Sequence, residues 1–202
     1  MIHNTIHKKC HIMDIITPLP HQCYLACSGG VDSMFALHFL RKGKRKVQPI
    51  FFNHGTETSR IAEEFLTVNM FAPIIGRLTR DKLKKESPEE YYRNQRYAFF
   101  SAFNDAPIIT CHHLDDQFET AILGSLQGKQ FRIPYRRGNF IRPFLNVSKK
   151  EILDYANRHS LFWVEDESNN DISIPRNRVR HMIVPQMKLL NPGVLKNYVT
   201  LN

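Results

Sequence analysis

Four short apolar runs, each followed by a stretch whose apolar residues recur at helical spacing, occupy positions 22 to 126 of this chain. Residues 22–27 read as a buried strand. Residues 32–41 read as a helix, with Met34, Phe35, Leu37 and Leu40 on one face and Gly43 placed to end it. The pattern then repeats: strands over 47–52, 73–78 and 107–110, and helices over 61–71, 88–103 and 114–126. Parallel strands need a crossover between them, and a helix is the usual one. Strand–helix alternation of this kind therefore predicts an α/β fold with a parallel sheet covered on both faces.

In such folds ligands bind beyond the carboxyl ends of the strands. Polar clusters follow three of the four predicted strands: Ser28-Gly29-Gly30-Val31-Asp32-Ser33, Asn53-His54-Gly55, and His112-His113 with Asp115-Asp116. In the first, paired glycines let the backbone turn tightly and approach a ligand. The helix behind them offers free N–H groups and the positive end of its dipole, and Ser28 and Ser33 add hydroxyls. This is an anion cradle. A carboxylate at Asp32 suits an anion site if it holds a magnesium ion bound to phosphates. In the third cluster, Asp116 and Glu119 stand three apart and so share a helix face, where a carboxylate pair can receive an ammonium group. Asp115 or His112 would assist metal binding or proton transfer.

Net charge is +9, and it is uneven. Residues 1–128 carry +2 and residues 129–202 carry +7, an asymmetry that favours a polyanionic partner such as RNA. Cys10, Cys23, Cys27 and Cys111 form no CxxC pair. They read as small core residues of a chain in a reducing, cytoplasmic setting. No apolar run approaches the ~20 residues of a membrane span, so no membrane partner is expected.

The Ser28–Ser33 segment resembles the pyrophosphate-binding loop of the PP-loop ATPases, which split ATP into AMP and pyrophosphate. The run from Cys111 to Thr120 resembles the HHxDDQxET motif of the tRNA(Ile)-lysidine synthetase family within that class. Asn53-His54-Gly55, the Arg93–Phe100 helix, Arg142-Pro143-Phe144-Leu145, Trp163–Asn169 and Arg176–Arg180 are similar to that family's remaining blocks, in order. The resemblance implies a Rossmann-like PP-loop fold with a small helical C-terminal extension. It divides the chain into an N-terminal extension (1–21), a catalytic domain (22–145) and a basic, mainly helical part of the same unit (146–202). Two departures stand out. Thr56-Glu57 replace a usual Leu-Arg, and the glycine-rich segment after the acidic helix is reduced to residues 124–129. The extra C-terminal domains of many relatives are not expected, which makes this a minimal form.

What the resemblance implies for chemistry is a two-step ligation. ATP adenylates the wobble cytidine in the anticodon loop of a minor isoleucine tRNA, and free lysine then displaces AMP. Ser28, Gly29, Gly30, Val31, Asp32, Ser33, Asn53 and His54 would bind ATP. Asp32 and Asp115 would hold Mg2+, and Asp116 and Glu119 would receive lysine. Asp32, His112, Asp115 and Asp116 form the catalytic set, with His112 or Asp115 as base. Arg93, Arg96, Arg142, Arg176 and Arg180 would contact the tRNA, the last two at the loop backbone or the nucleotide. The family commonly dimerises, so a homodimer is an expectation of the same kind.

Overall fold

The computed structural model describes residues 13–69, 71–129 and 131–201. Cys10 and positions 1–12 of the expected N-terminal extension lie outside the described residues. The core alternates as the sequence pattern predicts: β1 (Gln22–Ala26), α1 (Val31–Lys42), β2 (Lys46–Asn53), α2 (Glu57–Val68), β3 (Ile74–Arg77), α3 (Pro88–Phe100), β4 (Ile108–Ile109) and α4 (Leu114–Leu126). A short hairpin follows, β5 (Arg136–Arg137) and β6 (Phe140–Ile141), then α5 (Lys149–Arg158). The chain ends in a 3-10 turn (Glu167–Asn170), α6 (Pro175–Arg178), a π-helical segment (Val179–Ile183), α7 (Val184–Leu190) and α8 (Val194–Leu201).

The strands form one sheet in the order β3-β2-β1-β4-β6-β5, parallel throughout except for the β5–β6 hairpin. The chain leaves β1 toward β2 on one side, while β4 lies on the other. The crevice between the carboxyl ends of β1 and β4 is therefore the topological switch point, where open α/β sheets bind ligands.

Central strands buried on both faces explain the unbroken apolar runs. Leu25, Ile50, Ile108 and Ile109 are almost wholly shielded from solvent. One face of α1 packs Phe35 against Phe144 and Tyr155, with ring centroids 5.1 Å apart in both pairs. On α4, Leu114 and Phe118 join Val179, Val184 and Leu195 of the C-terminal helices in a second apolar cluster.

Two helices differ in their bounds from the periodicity. The helix expected at residue 61 begins at Glu57, because Thr56 caps it by accepting a hydrogen bond from the Ser59 N–H (3.2 Å). It ends at Val68, shortly before Ala72 takes a left-handed conformation (φ 47°). The helix expected to reach residue 103 stops at Phe100, and Ala102 and Phe103 continue as a turn. The β5–β6 hairpin was not anticipated. Its two-residue strands carry no alternation, and its turn is marked only by Gly138 at φ 58°.

Gly76 in β3 tests the packing. A Cβ there would meet the Phe99 ring at 2.5 to 2.8 Å, and that ring is itself packed on Phe52 and Phe103. Gly76→Ala is expected to destabilise the fold by about 1–3 kcal/mol in denaturant unfolding, as an overpacked site does.

Candidate active site

The glycine turn lies at the carboxyl end of β1. Gly29 adopts φ 80°, a conformation open to glycine at no steric cost. Gly30 opens α1, and no side chain caps that helix. The turn is held from within. Ser33 Oγ donates to Gly30 O (2.8 Å), and Ser28 Oγ accepts from Gly30 N–H (3.4 Å). The Trp163–Asn169 segment docks on it through Val164 N–H to Gly29 O (2.9 Å).

Asp32, in the first turn of α1, points toward the start of α4. His113 caps α4 in a reciprocal box: its Nδ1 accepts from Asp116 N–H (3.4 Å) while Asp116 Oδ2 accepts from its N–H (3.0 Å). The same buried imidazole stands 3.8 Å from Asp32 Oδ1, 3.8 Å from Asp115 Oδ2 and 3.5 Å from Asp116 Oδ2. One ring thus gathers the three aspartates named from the sequence.

Each acid already holds a cation. Lys149 Nζ donates to Asp32 Oδ1 (2.6 Å), and the Lys149 N–H donates to Asp115 Oδ2 (2.7 Å). Lys188 reaches Asp115 Oδ1 (3.3 Å). Asp116 and Glu119 do share a face, and Arg176 and Arg180 occupy it. Arg176 donates to Asp116 Oδ1 (2.9 Å) and Glu119 Oε2 (2.9 Å). Arg180 donates to Glu119 Oε1 (2.7 Å) and Oε2 (2.9 Å). Glu119 is only 1% exposed. Burial alone would raise the Asp116 carboxyl, but His113 and Arg176 outweigh it and hold its pKa below the ordinary range.

The local sequence explains how both arginines reach α4. They stand four apart on a nearly continuous helix, hence on one face. Pro185 has no N–H to give, and the helix entering it widens to a π-turn in which Val184 N–H bonds Val179 O. Asn177, buried, donates to the carbonyls of Ser168 (2.8 Å) and Asp171 (3.0 Å), which ties this helix to the docking segment.

The other candidates sit around this centre. Half-buried His112 contacts Thr110 Oγ1 (3.1 Å), and burial lowers its pKa to about 4, with Asp116 opposing and Arg142 assisting. At the end of β2, Asn53 Nδ2 donates to Glu63 (2.6 Å) and its Oδ1 accepts from Gly55 N–H (2.7 Å). His54 is also held near pKa 4, by burial and then by Arg96, and its buried Nδ1 has no partner. Arg93 and Arg96 lie on α3, and Arg142 follows β6, so none of these three joins the acid network.

Among the described residues no group of three or more His, Cys, Asp or Glu side chains is arranged to hold a metal. Magnesium, however, usually takes only one or two carboxylates beside phosphates and water. Asp32 fits that demand, with a cation already on it. Asp115 fits less well, since both its oxygens accept hydrogen bonds.

Sequence reasoning assigned no role to His113, Lys149 or Lys188. His113 stood inside a quoted motif, and its position as the residue before α4 was the available signal. Nothing local links Lys149 to Asp32, 117 positions away.

A glycine turn, an uncapped helix and a ring of acids at a switch point define a nucleotide-handling protein of the α/β class. A family model described as the PP-loop domain matches residues 4–187. The chain belongs to the PP-loop domain family. It is 33% identical over 192 residues to a tRNA(Ile)-lysidine synthase of Nitrosomonas europaea, covering 85% of this chain and 42% of that protein. It is 33% identical over 188 residues to one of Streptococcus pyogenes, again covering 85% and 42%. The chain thus spans under half the length of these relatives. A U34-tRNA thiolase from Methanococcus maripaludis shares the fold, with TM-score 0.67, 17% identity, and 94% of this chain and 73% of that one covered.

Two outcomes follow from the geometry. Imidazole titration by NMR is expected to give His112 a midpoint near 4 instead of 6.5. The unfolded chain then binds that proton first, so stability falls as pH drops from about 6.5 toward 4, by at most about 1.4 kcal/mol per unit. Glu119→Gln is expected to cost about 3 kcal/mol in chemical denaturation, because it leaves two guanidiniums facing one carboxylate.

Proposed function

We propose that this chain is the catalytic unit of a tRNA(Ile)-lysidine synthetase. The cytidine 2-carbonyl oxygen attacks the α-phosphorus of ATP, and pyrophosphate leaves. The ε-nitrogen of lysine then attacks C2, the C2–O bond breaks, and AMP departs with the oxygen. The supporting observation is the convergence of the uncapped glycine turn, Asp32 and the acid-bearing α4 on one crevice, in a chain a third identical to proteins of that name.

The residues suit the steps. Free N–H groups at the start of α1 would bind the departing pyrophosphate. Asp32 would hold Mg2+, whose contribution when bound is to neutralise phosphate charge. The attacking amine must lose a proton. His112, kept unprotonated near neutral pH, and Asp115 are the acceptors beside it. A lysine ammonium arriving at Asp116 and Glu119 exchanges with one of the two guanidiniums already there, one cation for another. The displaced arginine, Arg176 or Arg180, would then turn toward nucleotide or anticodon loop while the other keeps the second carboxylate paired.

Sulfur transfer is less well served. Burial raises the Cys27 and Cys111 thiols, which keeps them protonated and weakly nucleophilic. Among the described residues, no helix is long and apolar enough to cross a membrane. A cytoplasmic setting and a homodimer belong to the same proposal.

Labelled lysine, ATP and magnesium supplied with a panel of tRNA transcripts test the reading: label is expected only on the CAU-anticodon isoleucine transcript. Asp32→Ala and Asp116→Ala should each lower ATP/pyrophosphate exchange about 100-fold or more. Full exchange in either variant would refute the assignment.

A further inference from the structure

A second charged surface lies beside the acid network. A groove of about 360 Å³ between α3 and the β5–β6 hairpin is lined by Arg93, Tyr97, Arg137, Phe140 and Arg142, and by no Asp or Glu. None of these three arginines forms an ion pair among the described residues. Arg142 is 5% exposed; it donates to Pro134 O (2.9 Å), but its buried Nε has no partner. Burial lowers its pKa; Arg137 and Arg93 act in the same direction, against the nearby Tyr97 phenol. A buried cation among like charges is costly unless an anion completes the site.

The aromatic lining narrows the anion. Tyr97 and Phe140 have ring centroids 5.2 Å apart, and the Arg93 guanidinium lies 4.9 Å from the Tyr97 ring. Guanidinium forks match phosphate oxygens, and aromatic faces accept unpaired bases. Location narrows it further. Thr110 N–H bonds Ile141 O (3.0 Å), so Arg142 sits alongside the strand end that carries His112, whose imidazole it influences. The groove therefore adjoins the switch-point crevice without sharing its acids.

We propose that this groove binds a phosphodiester of single-stranded RNA that flanks the nucleotide whose base enters the crevice. The inference rests on the reading that the chain modifies an RNA base. A phosphate could also come from ATP, and the test separates the two sources.

The full chain is titrated with three probes: a labelled hairpin RNA with a seven-nucleotide loop, a blunt duplex RNA of equal length, and ATP. Arg93→Ala/Arg137→Ala removes the exposed guanidiniums, and Arg142→Lys is the conservative change at the buried one. Circular dichroism verifies folding of both. The double variant is expected to bind loop RNA about tenfold more weakly, with a log–log salt slope shallower by about 1.4 for two lost contacts. Duplex and ATP affinities should stay within twofold. Arg142→Lys should weaken loop RNA in the same sense, since an ammonium cannot reproduce the fork. Unchanged loop affinity and slope would overturn the proposal, as would wild-type protein that binds no loop RNA. An equal loss for duplex would remove the single-strand claim, and an equal loss for ATP would assign the groove to the nucleotide. The expected shifts without lysine incorporation would leave the groove standing and sink the ligase reading alone.

Discussion

Burying the Glu119 side chain demands polar partners, and Arg176 and Arg180 supply them through hydrogen bonds of 2.7 to 2.9 Å. That pairing fixes much else. It ties the C-terminal helices to α4, and Asn177, between the two arginines, ties the same helix to the segment that docks on the glycine turn. The acid helix, the basic helix and the phosphate-type loop therefore come as one connected unit around the crevice. Buried ion pairs often add little net stability, because desolvation offsets attraction. Their consequence here is positional: two guanidiniums are held on the face of α4 that carries Asp116 and Glu119.

This arrangement revises the meaning of the basic C-terminal third. The charge excess of residues 129–202 reads in the sequence as a field for a polyanion. Arg176, Arg180, Lys149 and Lys188 instead face Asp32, Asp115, Asp116 and Glu119. Four of the cations thus balance the acids of the crevice. Arg93, Arg137 and Arg142, which form no ion pair among the described residues, lie in the groove beside it, and Arg93 comes from the nearly neutral part of the chain. Net charge along a sequence does not say which charges remain after folding has paired them.

The alternation of strands and helices was legible because parallel strands buried on both faces leave unbroken apolar runs, such as residues 107–110 around Ile108 and Ile109. The Ser28–Ser33 turn and the Asp116–Glu119 face were legible because glycine pairs and three-residue spacing have local meaning. The partners of those acids were not. Lys149 lies in the first turn of a helix that Ser148 and Glu151 cap reciprocally, a local signal for a helix start and nothing more. Its reach to Asp32 depends on how α5 packs on α1, a long-range fact with no local signature. The β5–β6 hairpin failed for another reason: two-residue strands, one of them a pair of arginines, have no period to detect.

Helix starts show how the site departs from local rules to be able to bind. Thr56, Ser87, His113 and Ser148 cap α2, α3, α4 and α5 with their side chains. Helix α1 opens on Gly30 with no such cap. An uncapped start leaves N–H donors without an internal partner, a cost that at a glycine cap is only about a few tenths of a kcal/mol relative to Ser or Asp. Gly29 needs its left-handed backbone, whereas a Cβ at Gly30 would meet Ser28 Oγ at 3.5 Å, an ordinary contact. The donors are thus kept open where an anion can approach, with the Asp32 carboxylate and its ammonium partner at their side. A dianionic group arriving there would satisfy the N–H groups and attract the Lys149 ammonium, freeing Asp32 for another cation. The same electrostatics that stabilise the crevice therefore suit it to exchange one charged partner for another.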